Sequence, residues 1–449
     1  MGASESKQEN PVRLLLADER DALENLQHFL NDAGEIRLRK LQERFTVLPE
    51  TFLSALLSYF QQVSAELGPS KKAEVNSRRE AFTDLQFGSA AYRLIRGGVT
   101  VKETFFKVGY VGGSTDTQAA AKSFVQDLAS VAIAFYAGKS TSTFRVSDRF
   151  VSFLLAGPQR EDEHRDAASV PFIGPFQTWF GQNHYLARLW EIAFTRIFLM
   201  DPAKLASREA ELRATTAKRP NLHNGVTSLL AFEDMWFLEM HLPAEHKPLA
   251  WRRLFNSEQQ GMSWTLFQHA VEEMGSTLVV VKDRGGAIFG GFASQEWKPL
   301  PKYYGDNESF IFRLQPTIVI NRASNYNQNF QYFNHSTQTL PNGLGLGGQM
   351  GYFALWIDAE NFGRGHSKGN PSTTYNSRQL SSTEEFQVDL LEAWLIKEKE
   401  VDPNLLPEKG KRSILDRAED MAFLELGGRK LYSKDVREGG GDREADFSE

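Results

Sequence analysis

Thr277-Leu-Val-Val-Val-Lys282, Asp283-Arg284-Gly285-Gly286, Ala287-Ile-Phe-Gly-Gly-Phe-Ala293 is the stretch that sets the fold class. Two runs of β-branched and aromatic residues flank a four-residue segment built from Asp and Gly, which is the signature of a β-hairpin. Working outward, Phe310–Leu314 and Thr317–Ile320 flank a second turn at Gln315-Pro316, and Phe330–Asn334, Tyr352–Asp358 and Phe386–Ile396 read as further strands. Leu229–His241 and Trp264–Glu273 read as helices. The composition supports burial on both faces of a sheet, since the chain carries 33 Phe among its 449 residues. These features together predict an α+β protein whose second half is an antiparallel sandwich edged by helices. Gly290 and Gly291, inside a strand run, predict a bulge or a close backbone approach. Trp356 and Trp394 are expected in the core.

The first half reads as helical. Leu53, Leu56, Phe60, Val63 and Leu67 recur at 3-and-4 spacing between Pro49 and a stop at Gly68. Phe124, Leu128, Val131 and Phe135 repeat that arrangement from Asp116 to Ala137, before Gly138. A third helix is expected over 176–200, apolar on most sides and therefore central. The charged, Ala-rich stretch 201–220 marks the boundary between a helical region at 13–220 and a sheet domain at 227–397. Beyond it, 398–449 is a polar tail with one helix at about 413–427. Ser413 and Asp416 start that helix in the manner of a capping box, Ile414, Leu415, Ala418, Met421, Ala422 and Leu426 form its apolar stripe, and Gly427 closes it. The acidic, Gly-rich residues 435–449 are expected to be disordered.

Charge and composition exclude several function classes. The 51 Lys and Arg against 57 Asp and Glu leave a net charge of −6, without the basic stripe that nucleic-acid binding requires. With no cysteine there is no disulfide, thiolate nucleophile or thiolate-held zinc. The most apolar helical run, Leu186 to Met200, is broken by Arg188, Glu191 and Arg196 and reads as a buried helix rather than a membrane span. The first residues, Met1-Gly2-Ala3-Ser4-Glu5-Ser6, fit the N-myristoylation pattern at Gly2. A single myristoyl chain binds membranes only weakly, on the order of 10⁴ M⁻¹, so a second anchor is required.

The motifs associated with catalysis fail on context. Gly343-Leu-Gly345-Leu-Gly347-Gly348 satisfies G-x-G-x-x-G, but the run leads into strand-like Tyr352–Asp358 instead of a helix. A Gly-rich loop, needing positive φ or close backbone packing, is expected there. Gly365-His366-Ser367-Lys368-Gly369 matches G-x-S-x-G, yet Asn370-Pro371-Ser372 follows as a loop where a nucleophile elbow needs a helix. His241 and His246 are five apart, unsuited to one helical face. His335 and His366 are the two histidines that could meet and hold a metal. No calcium loop of the D-x-[DN]-x-[DN]-G type occurs. The expectation is a protein without catalytic, metal or cofactor residues.

An ordered series of motifs fills the second half. It runs through Trp251-Arg-Arg-Leu254-Phe255-Asn-Ser257, Phe289-Gly290-Gly291-Phe292-Ala293, Gly305-Asp306-Asn307, Tyr326-Asn327 and Tyr332-Phe333-Asn334. It continues through Pro341-Asn342-Gly343-Leu-Gly345, Gly347-Gly348, Leu355-Trp356-Ile357-Asp358, Gly363-Arg-Gly365-His366-Ser367 and Thr373-Thr374-Tyr375-Asn376-Ser377, ending at Phe386 to Trp394. This series resembles the TLDc family. The Met1-Gly2 start, the helical first half and the Ser413-Ile-Leu-Asp416 helix resemble that family's lysosomal, mTOR-associated branch (the EAK type). The resemblance implies a β-sandwich edged by helices and an N-terminal region of EF-hand-like helix pairs, here without calcium ligands. It implies a non-catalytic adaptor that binds the V-type proton ATPase on the cytoplasmic face of the lysosomal membrane, anchored through Gly2 and linked to mTOR signalling. Family membership also implies an alternative role in oxidative-stress resistance, through another partner or a metal. Gly290, Gly291, Gly343, Gly345, Gly348, Trp356 and Trp394 are read as scaffold, and Ile414, Leu415, Met421 and Leu426 as a partner-binding face.

Overall fold

The structure is a computed structural model that describes residues 10–32, 35–45, 47–68, 81–112, 116–157, 175–199, 228–246, 251–369 and 371–399. Gly2, the 201–220 connector and the tail helix with Ile414, Leu415, Met421 and Leu426 lie outside the described residues. The described residues, from Asn10 to Lys399, belong to one compact unit. The architecture is α+β, helices first and an antiparallel sheet after them.

The first half builds its helices α1 (Ala17–Leu30), α2 (Leu38–Arg44), α3 (Glu50–Leu67), α4 (Asp84–Arg96), α5 (Val99–Phe106) and α6 (Thr117–Ala137) around an aromatic core. Strands β1 (Asn31–Asp32), β2 (Glu35–Arg37) and β3 (Ala81–Phe82) form a small sheet between them. It joins two helix–strand–helix units, with Ile36 opposite Phe82. Helix α3 starts after Pro49 and stops at Gly68, whose φ is 80°. Helix α6 is capped by Asp116, whose carboxylate accepts from the Gln118 and Ala119 N–H groups, and it ends at left-handed Gly138. Both ends fall where the sequence places them.

The single helix expected over 176–200 is two. After α7 (Asp148–Ala156), helix α8 (Phe176–Gln182) stops at Asn183 and α9 (His184–Leu199) begins. The backbone at Asn183 leaves the helical region (φ −97°, ψ 87°). Its side chain explains the break: Oδ1 accepts the Leu186 N–H at 3.2 Å, while Nδ2 donates to the Leu154 carbonyl at 2.7 Å. An Asn side chain that competes with the backbone in this way converts an apolar run into a helix end.

Ten strands form the large sheet: β4 (Arg252–Asn256), β5 (Gly275–Asp283), β6 (Ile288–Ala293), β7 (Phe310–Gln315), β8 (Val319–Arg322), β9 (Gln331–Asn334), β10 (Gly343–Leu346), β11 (Leu355–Asp358), β12 (Arg364–His366) and β13 (Glu385–Glu398). The order is β8-β7-β6-β5-β13-β12-β11-β10-β9, with β4 also on β13. The long β13 is the seam. Its start pairs with β12 and its remainder with β5 and β4, with register shifts that bend it.

The inner faces of the two halves meet in one cluster. It holds Val279, Val281, Phe289 and Ile311 from one side, and Phe333, Leu344, Leu346, Leu355 and Ile357 from the other. Close approach is built in at Gly291, where a Cβ would stand 2.2 Å from Leu346 Cδ1. The opposite face of β5–β7 carries Leu278, Val280, Phe292, Phe310 and Phe312, all within the same core cluster as the helices. The β5–β7 layer is therefore buried on both sides, which accounts for a Leu-Val-Val-Val run that does not alternate.

The sequence reading misses two strands and misassigns a third. Gly343–Leu346 is strand β10 instead of a Gly-rich loop, and β4 and β12 have no counterpart in that reading. The physical reason is what lies above the glycines. A Cβ on Gly345 would meet the Phe353 ring at 2.5 Å, and one on Gly365 the Phe386 ring at 2.5 Å. Large rings cover these strands, so glycine occupies positions that would otherwise display a β-former. Two helices are also shorter than expected, at Phe232–His241 and Trp264–Val271, and the strand after Tyr352 begins only at Leu355.

Candidate docking surface

At one end of the large sheet, four connecting segments are tied into a cluster. They follow β6, β8, β10 and β12 in the chain. The Ser324 N–H donates to the Thr374 carbonyl at 2.8 Å, and Thr374 Oγ1 donates to Asn327 Oδ1 at 2.8 Å. The Gly348 N–H donates to that same Oγ1 at 2.8 Å, and Asn329 Nδ2 to the Gly348 carbonyl at 2.7 Å. Asn307 reaches Asn325 from the segment after β6. Beneath them Tyr375 is fully buried, its hydroxyl donating to the Phe330 carbonyl at 2.9 Å, and burial pushes that hydroxyl's pKa well up.

Several positions here hold left-handed backbone. Gly347 and Gly348 have φ of 68° and 81°, and two non-glycine residues, Asn325 and Asn376, have φ of 60° and 46°. Asn tolerates that region better than most residues, though still at a cost. The bonded net fixes these turns, and on top of it Tyr326 stands 79 % exposed, with Met350 also exposed. Loops held by a rigid scaffold with an outward aromatic are suited to capturing a protein surface.

Among the residues read as scaffold, Trp394 lies in the core at the helix-facing side of the sheet. Trp356 packs with Tyr332 and Phe353 over Gly343 and Gly345, its ring stacked on Phe353 at 4.5 Å. A Cβ on Gly290 would stand 2.0 Å from the Val279 carbonyl oxygen and 2.8 Å from the Phe312 ring. Gly348 alone of these residues also supplies backbone groups to the loop cluster.

The sites that could carry chemistry are occupied by structural bonds. Ser367 is fully buried, donating to the Ala354 carbonyl at 2.7 Å and accepting the Leu380 N–H at 2.9 Å. His335 and His366 take separate partners. His335 lies against Gln268 and Ser336, whereas His366 Nε2 accepts the Phe353 N–H and its ring stacks on Trp356. Burial lowers the His366 pKa. Among the described residues no three His, Asp or Glu side chains group to hold a metal, and no helix is long and apolar enough to cross a membrane.

Sequence reasoning misses two buried polar networks, one that ties the helical region to the sheet domain and one within the sheet domain. Arg149 on α7 bonds Asp234 at 2.6 Å and also donates to the Leu314 carbonyl on β7. Glu392, wholly buried on β13, accepts from Ser228 Oγ (3.0 Å), the Leu229 N–H (3.2 Å), Asn256 Nδ2 (2.9 Å) and Trp394 Nε1 (3.1 Å), with Arg253 at 3.3 Å. Burial raises the pKa of both carboxyls, that of Asp234 to about 6 in spite of Arg149. The one available signal was a Glu at the centre of the apolar run Phe386–Ile396.

The fold and these motif loops define a chain that carries a TLDc domain, with residues 223–397 matching it. Similarity extends to mTOR-associated protein MEAK7 of Gallus gallus, 42 % identical over 217 residues covering 47 % of this chain and 45 % of that protein. The Homo sapiens MEAK7 is 34 % identical over 286 residues, covering 63 % of this chain and 59 % of that protein. Nuclear receptor coactivator 7 of Mus musculus is 32 % identical over 158 residues, 35 % of this chain and 16 % of that protein. The chain spans about half the length of the curated relatives it matches.

Proposed function

We propose that this chain is a non-catalytic adaptor linked to mTOR signalling, which docks on the V-type proton ATPase at the cytoplasmic face of the lysosomal membrane. The observation that carries the adaptor reading is the loop cluster. Motif residues distant in sequence meet there in a bonded, rigid platform that presents Tyr326. The mTOR link rests on the relatives named mTOR-associated, and the ATPase and the lysosome on the family resemblance. Gly2 is the proposed myristoyl anchor, and the apolar stripe Ile414, Leu415, Met421 and Leu426 a second contact. Two linked contacts raise avidity by about 10²–10⁴ when both engage.

Capture from solubilised lysosomal membranes tests this, using the wild-type chain, Tyr326→Ala, Gly2→Ala and a chain ending before Lys411. ATPase subunits are expected with wild type, and at about tenfold lower yield or less with Tyr326→Ala. In detergent, Gly2→Ala is expected to match wild type, because the anchor acts on lipid. Wild type that retains no ATPase subunit under these conditions ends the proposal.

A further inference from the structure

A short way along the sequence from the proposed anchor, two leucines stand exposed among the described residues. Residues Pro11–Leu14 form a short 3-10 turn, capped by Asn10, whose Oδ1 accepts the Val12 N–H at 3.2 Å. The turn is pinned from inside. Val12 and Leu15 are buried, and Val12 seats over Gly88 on α4, where a Cβ would come within 2.7 Å of Val12 Cγ2. Arg20 clamps it from α1 by donating to the Arg13 and Leu15 carbonyls at 3.1 and 3.2 Å. The Leu16 N–H is taken by Glu19 at 3.2 Å. With Val12 and Leu15 turned inward, Leu14 and Leu16 are left 74 % and 63 % exposed. A lone exposed leucine needs no explanation, but one at the end of the turn and one at the start of α1, two residues apart, form a small apolar wedge.

We infer that Leu14 and Leu16 are a membrane-contact element that inserts into the same lipid surface as the acyl chain on Gly2. This rests on the lipidation reading above. Seven residues lie between Gly2 and Asn10, so even fully extended the connection spans less than about 30 Å. An acyl chain in the bilayer therefore holds the wedge near the interface. A single myristoyl chain is a marginal anchor and requires a second signal, for which no cysteine is present to be palmitoylated. The contact is apolar rather than electrostatic: Arg13 is exposed beside the leucines, but the exposed face of α1 that follows carries Asp18, Asp21 and Glu24. Neutral lipid should therefore serve nearly as well as anionic lipid.

Vesicle co-sedimentation tests this with the full chain, produced with and without N-myristoyltransferase, on phosphatidylcholine vesicles and on vesicles containing one-fifth phosphatidylserine. Leu14→Ser combined with Leu16→Ser is expected to weaken binding of the acylated chain about tenfold or more, and to lower the residual binding of the unmodified chain. Far-UV circular dichroism should be unchanged, since neither side chain is buried. The two vesicle types should bind within about a factor of two. Equal sedimentation of the acylated wild type and the double variant overturns the inference, as does binding confined to phosphatidylserine vesicles. Mass spectrometry showing Gly2 unmodified in the enzyme's presence overturns the lipidation reading instead.

Discussion

Glycine 345 illustrates how the large sheet is specified. Its missing side chain is the seat of the stacked Phe353–Trp356 pair, so the position is defined by what covers it. Gly345→Ala must displace two rings from a packed cluster, and overpacking of this kind costs about 1–3 kcal/mol. The expected outcome is a lowered Tm with an altered near-ultraviolet dichroism of the aromatic cluster. A variant with wild-type Tm and spectrum would mean that the rings do not rest on this strand. Tyr326 makes the opposite case. Its ring is exposed, so Tyr326→Ala should change stability by no more than about 0.5 kcal/mol while removing partner capture. A fall in Tm that parallels the lost capture would assign the residue to the scaffold.

Between elements, the clasp of Arg149 with Asp234 and the Leu314 carbonyl joins α7, the helix Phe232–His241 and β7. Burial holds the Asp234 pKa near 6, above its unfolded value of about 3.8. A carboxyl shifted upward keeps its proton in the folded state while the unfolded chain has lost it. Its contribution to stability is thus present below about pH 4 and lost as pH rises towards 6. Other acids titrate in the same window, so the comparison is with Asp234→Asn. The Tm of wild type relative to that variant should fall between pH 4 and 6 and be level above pH 6.5. A constant difference across the range would show that Asp234 keeps its charge in the fold.

The limits of the sequence also lie at this scale. Helices α3 and α6 were legible because apolar spacing and end residues agree, Pro49 with Gly68 and Asp116 with Gly138. The hairpin at Asp283–Gly286 was legible from turn chemistry. Strands β10 and β12 were not, because their information resides in Trp356, Phe353 and Phe386 on neighbouring segments. The helix break at Asn183 is not legible in the sequence, because it depends on a carbonyl 29 residues away. For the docking surface, the motif residues were legible as a series, but their meeting at Thr374 is a property of the fold.

At the scale of the whole molecule, the TLDc match and the hydrophobic core do not share a boundary. The match begins at residue 223, yet the core that holds Leu278, Val280, Phe292, Phe310, Phe312 and Trp394 also holds Leu128, Phe150, Phe194 and other residues of the preceding helices. Removing the helices before residue 200 would uncover much of that face of the sheet, together with the Leu314 carbonyl and half of the Asp234 clasp. Apolar patches of such extent are rarely left open in a soluble monomer. A fragment covering 228–399 is therefore expected to aggregate, or to bind a hydrophobic dye strongly, whereas the chain ending at Lys399 is expected to stay monomeric. The same continuity predicts one cooperative calorimetric transition for 1–399, with equal van't Hoff and calorimetric enthalpies. Two resolved transitions, or a soluble fragment with a native-like near-ultraviolet spectrum, would show that the sheet closes its own core. In that event the helical half would be an appendage to the sheet and its loop cluster rather than the layer that holds them in place.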